Sequence, residues 1–144
     1  MIVGPTSVAE AAGALLAHTV RAGKLVLKKG RLLSDADIVA LADAGVDSVL
    51  AVRLEAGEVG EDAAAERIAA SLVGPGIRAN APFTGRVNLF AETAGVLTVD
   101  KARLDRLNLV DESATVATLP PYSVVEPGQM VATIKIIPFA APDH

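Results

Sequence analysis

The chain has 144 residues, with 13 Lys plus Arg against 17 Asp plus Glu and a formal net charge of −4. It has no Cys, which excludes disulfides, thiolate metal sites and thiol catalysis, and its two His are too few for a multi-histidine metal centre. The acidic balance and the 3% aromatic content argue against a nucleic-acid partner, which needs cations for phosphates and rings for bases. Hydrophobic residues reach 51% and mean hydropathy is +0.44. Charges, Gly or Pro still interrupt every apolar stretch before about 18 residues, so no transmembrane helix and no membrane partner are expected. The opening residues lack the basic-then-apolar order of a secretory signal, and a cytoplasmic location is expected.

Thr6 or Ser7 can cap a single helical turn over residues 9–12, with Glu10 near its third position. Residues 14–20 then read as a strand or extended link, 21–23 as a turn and 24–28 as a strand. Ser34 is a good N-cap, and Asp35 and Asp37 suit the positive end of a helix dipole. Ile38, Leu41 and Ala42 form that helix's apolar face, and Gly45 closes it at a left-handed position. Residues 48–54 read as the next strand, and residues 55–60 as a polar connection. A second helix is expected over 61–73, with Ala64, Ala65, Ile68, Ala69 and Leu72 inward. Gly74-Pro75-Gly76 ends it and marks the expected boundary between two lobes.

Beyond that point short β-branched runs dominate, at 77–81, 85–90, 95–99, 115–119 and 130–137. One helix interrupts them, capped by Asp100 and burying Ala102, Leu104, Leu107 and Val110. The expected fold is α+β: an N-terminal strand–helix–strand unit with an Ala-rich helix (1–73), packed on a β-rich lobe with one short helix (77–138). The two lobes are expected to share one core, and 139–144 to start a linker or tail.

Few residues can carry chemistry. His18 is the only internal imidazole, and nothing near it in sequence nominates a proton partner. Lys28, Lys29 and Arg31 surround Gly30 in a basic turn that can hold a phosphate or carboxylate, or simply be solvated. Glu55, Glu58, Glu61 and Asp62 either offer carboxylates to Mg²⁺ or favour a helix N-terminus. Residues 81–90, APFTGRVNLF, gather Thr84, Gly85, Arg86 and Asn88. Arg86 and Asn88, two apart, share a strand face and can present a fork of donors to an anion. The plainer reading is a β-turn at Thr84-Gly85 followed by an edge strand. No nucleophile elbow, zinc helix or dinucleotide fingerprint is present.

Residues 13–19 (GALLAHT), 27–38 (LKKGRLLSDADI) and 44–50 (AGVDSVL) resemble the N-terminal part of MoeA-like molybdopterin-binding proteins. So do 81–91 (APFTGRVNLFA) and 128–138 (GQMVATIKIIP). The resemblance implies a role in molybdenum cofactor biosynthesis or handling. In such proteins this region precedes an α/β domain that binds molybdopterin, and that domain's phosphate loop has no counterpart here. No catalytic residue of the family maps onto this chain.

The expectation is therefore a non-catalytic accessory module that shapes a molybdopterin site or mediates dimerisation. Its ligand contacts would come from Lys28, Lys29, Arg31, Thr84, Arg86 and Asn88. Its partners would be molybdopterin, the α/β domain in cis or trans, and a second copy of the chain. A purely structural interaction domain is the alternative. A small enzyme using His18, Glu61 and Asp62 ranks last.

Overall fold

The computed structural model describes residues 1–137 and 139–142. The fold is α+β, and the chain divides into two compact units, Met1–Ala56 and Gly57–His144.

The first unit is built on antiparallel pairing around one central strand. Its strands are β1 (Ile2–Ser7), β2 (Leu15–Leu16), β3 (Val20–Ala22), β4 (Leu25–Leu27) and β5 (Ser48–Arg53). β5 lies between β1 and β2, and β3 and β4 form a separate hairpin. A 3-10 turn, Val8–Glu10, follows β1 where a helical turn was expected. Helix α1 (Asp35–Asp43) follows the hairpin, and a reciprocal box starts it. Ser34 Oγ accepts from Asp37 N, and Asp37 Oδ2 accepts from Ser34 N. Gly45, at φ 78°, closes α1 with Val46 N donating to Leu41 O. The buried cluster includes Val8, Leu16, Leu27, Leu33, Leu41 and Val49.

Three details of this unit differ from the sequence expectation. Residues 2–7 are a strand, because Pro5 is tolerated where β1 has a partner on one side only. Residues 21 and 22 are strand rather than turn, and the hairpin bends at Gly23-Lys24. Ala42 is exposed, so α1 meets the core through Leu41 with Ile38 half-buried.

The second unit begins with β6 (Glu58–Gly60) and α2 (Glu61–Leu72). It continues through β7 (Ile77–Ala79), β8 (Arg86–Ala91), β9 (Gly95–Val96), α3 (Lys101–Asn108) and β10 (Ala114–Thr118). It ends with β11 (Val124–Val125), β12 (Met130–Ile136) and β13 (Ala140–Pro142). The main sheet is antiparallel in the order β10-β12-β8-β7, with β9–β11 and β6–β13 as small ladders. One face of the main sheet carries the core. Val87, Leu89, Val116, Ile134 and Ile136 are buried with Ala64, Ala65 and Ala69 of α2. These alanines let α2 lie close on β8 and β12, while α3 packs on β10. A bulge between Met130 and Ala132 turns Val131 and Ala132 inward together.

The division between units therefore falls at Ala56/Gly57 and not at Gly74-Pro75-Gly76. The reason is α2, whose alanine face belongs to the second unit's sheet. Each unit has its own buried cluster, and α2, expected in the first lobe, shares the cluster of the β-rich lobe. Glu58–Gly60, expected as a loop, pairs with Ala140–Pro142, expected as a tail; Asp143 and His144, expected in the same tail, and Pro138 before it lie outside the described residues. In α3, Leu104 and Leu107 are half-buried, but Ala102 and Val110 are exposed and no residue is fully buried. Among the described residues, no helix is long and apolar enough to cross a membrane.

Candidate functional site

The basic turn of the first unit is committed to its own fold. Arg31 donates from Nε to Asp37 Oδ2 at 2.9 Å and from an Nη to Asp37 Oδ1 at 3.0 Å. This two-pronged bond is the main reason the buried Asp37 carboxyl is held below the usual carboxylate range. The amides that would cradle an anion are also taken. Lys29 N donates to Thr19 Oγ1, Gly30 N to Leu16 O and Arg31 N to Lys28 O. Arg31 is thus a clamp joining the turn to α1, and the turn's backbone offers no anion nest. Lys28 and Lys29 lie exposed beside it, and His18 is exposed in the bend after β2.

In the second unit, Asp62 is committed too, since its Oδ1 accepts from Gly85 N at 2.7 Å. Glu58 lies in β6, while Glu61 shares the first turn of α2 with Asp62. Among the described residues, no group of three His, Cys, Asp or Glu side chains is placed to hold a metal ion.

The segment 83–88 is different. Phe83 and Arg86 exchange both backbone hydrogen bonds, closing a tight turn on Thr84 (φ 50°) and Gly85 (φ 72°). Two positive φ values make it the mirror-image hairpin turn that normally takes Asn-Gly, and a β-branched Thr there is strained. Gly85 fills a close approach: an added Cβ would lie 2.9 Å from Ile136 O and 3.1 Å from Glu61. The turn is therefore clamped between α2 and β12.

The strand that follows runs inside the sheet, between β12 and β7, and is not the expected edge strand. Val87, Leu89 and Ala91 point to the core, so Arg86, Asn88 and Phe90 line the opposite face. Asn88 is partly occupied: its N donates to Asn80 Oδ1 and its Oδ1 accepts from Thr133 Oγ1. Arg86 stands directly opposite Lys135 of β12, and Lys135 opposite Thr115 of β10. Four residues along β8, beyond Asn88, Arg78 of β7 lies over the Phe90 ring, 4.6 Å from its centroid.

The strands of this sheet hold no Asp or Glu. Arg78, Arg86 and Lys135 are all exposed, and neither Arg86 nor Lys135 makes a side-chain hydrogen bond or ion pair among the described residues. The sequence reading found Thr84, Arg86 and Asn88 but missed Lys135 and Arg78. Lys135 was signalled by the alternation in β12, where Thr133 and Lys135 interrupt buried Ala132, Ile134 and Ile136.

Comparison with known proteins adds one match: a family model described only as a domain of unknown function, DUF8806, covers residues 5–53. That span lies inside the first unit. No curated protein and no solved structure matches the chain.

Proposed function

We propose that this chain is a non-catalytic accessory module of a cytoplasmic protein that handles molybdopterin. The open face of its second-unit sheet would receive the anionic part of that ligand. The Arg86–Lys135 pair carries the reading. Like charges directly opposite on neighbouring strands destabilise a sheet, and the strands themselves offer no Asp or Glu to offset them. A phosphate monoester, such as the one molybdopterin bears, suits an Arg fork beside a Lys ammonium. Exposed Thr84 precedes Arg86 in the turn, exposed Thr115 stands opposite Lys135 on β10, and the Arg78–Phe90 stack further along β8 offers a flat surface for a ring. The resemblance of residues 81–91 and 128–138 to MoeA-like proteins supports the reading, because those segments include β8 and β12.

Calorimetric titration of the purified chain with molybdopterin tests it. The expected result is saturable binding that weakens about tenfold in Arg86→Ala and again in Lys135→Ala, with a clear loss as salt rises. Absence of saturable binding, with and without the partner α/β domain, removes the proposal.

A second reading, a protein–protein interaction module that pairs with its own copy, rests on the β9–β11 ribbon. Val96 and Val124 face each other at 58% and 74% exposure, with Tyr122 beside them at 77%. Sedimentation across a dilution series separates the two, since a monomer at every concentration contradicts self-association.

A further inference from the structure

The core side of the second unit's sheet is incompletely filled. A cavity of about 410 Å³ lies between α2, α3 and the sheet. Its walls are mostly apolar, and Leu72, Ile77, Leu97, Leu104 and Leu107 all reach it while staying only half-buried. The cause is visible in α3: its two apolar residues that face the sheet are too few to seal the space, and no aromatic residue lines the cavity. A cavity of about 150 Å³ already accommodates a benzene ring, so this volume admits a molecule of two fused rings. Volumes of roughly 300–1,000 Å³ with apolar walls and a few polar groups are the usual form of a small-molecule site.

Two charged residues of the lining, Asp100 and Arg103, pair with each other. Asp100 Oδ1 accepts from Arg103 N at 3.1 Å, capping α3, and Asp100 Oδ2 meets Arg103 Nε at 3.3 Å. Both carboxylate oxygens are therefore turned to the helix's first turn. The two Nη nitrogens of Arg103 have no hydrogen-bond partner among the described residues, and Arg103 lines the cavity. A planar fork of free donors beside an apolar cavity fits a carboxylate on an apolar body.

We propose that this cavity binds a small, mostly apolar, ring-bearing monocarboxylate, with the rings among Leu89, Leu97, Leu104 and Leu107 and the carboxylate on the Arg103 fork. The site is independent of Arg86 and Lys135, which lie on the sheet's other face.

The test uses the full chain with 2-naphthoate as the probe and 2-naphthalenemethanol as its uncharged counterpart, followed by NMR. Saturable shifts confined to the cavity, with nuclear Overhauser contacts from ring protons to the methyls of Leu104 and Leu107, are expected. Arg103→Gln should weaken naphthoate about tenfold while changing the alcohol less than about twofold. Ala132→Leu, which adds volume to the cavity wall, should abolish binding of both. The Overhauser contacts decide the matter in the unaltered chain should that variant fail to fold. No saturation at the probe's solubility limit, contacts elsewhere on the surface, or equal losses for both probes in Arg103→Gln would overturn the proposal.

Discussion

Asp37 shows how one side chain can serve two structures at once. It closes the capping box of α1 through Ser34 and holds Arg31 of the preceding turn with both oxygens. Its folded pKa lies below that of an unfolded carboxylate, about 3.9. Its contribution is thus complete above that value and is lost as pH falls through the folded pKa. Acid titration of the first unit, followed by circular dichroism, should show stability falling below about pH 4, and Asp37→Asn should flatten that limb while lowering stability at neutral pH. At the other residue of note, Thr84, the strain has an available relief. Thr84→Asn should raise stability by up to about 1 kcal/mol, because Asn accepts the left-handed conformation. Gly85→Ala should cost more than about 2 kcal/mol, from its positive φ and the contact with Ile136 O. Denaturant midpoints of the two variants measure both effects. The capping residues were legible in sequence because Ser34, Asp37 and Gly45 act within a few positions of one another. The role of Arg31 was not, since a basic turn looks the same whether its cations are free or bound.

Among the elements, β10 is an edge strand that needs protection, and α3 supplies it. Asn108, the last residue of α3, donates from Nδ2 to Val116 O at 2.9 Å and accepts at Oδ1 from Val116 N at 2.8 Å. A side-chain amide thereby replaces the strand that β10 lacks on that side. Asn108→Ala should cost about 2 kcal/mol, for two bonds lost beside a partly buried backbone. It should also raise amide exchange at Val116, which hydrogen-exchange NMR reads directly. Sequence showed α2, α3 and most strands because their periodicity and their Gly or Pro bounds are local. It hid β1 and β13 for different reasons. The exposed alternation of β1 carries little hydrophobic signal, and β13 exists through pairing with β6 some eighty residues earlier.

At the scale of the whole molecule, the candidate residues belong to two units, each with its own buried cluster. The first unit uses its basic turn to hold itself together. In the second, Arg86 and Lys135 make no side-chain ion pair among the described residues. Sequence spacing put Arg86 and Asn88 on one face, but only the strand register sets Lys135 opposite Arg86. That register is a non-local fact, and it sets a second cation beside Arg86. The most direct measurement is an amide shift map recorded while the full chain is titrated with molybdopterin. The expected result is a set of saturable shifts centred on Thr84, Arg86, Thr115 and Lys135, weakened throughout by Arg86→Ala. Shifts centred on residues 28–31 instead, or none at saturating ligand, would contradict the assignment of the sheet face as the ligand's docking surface.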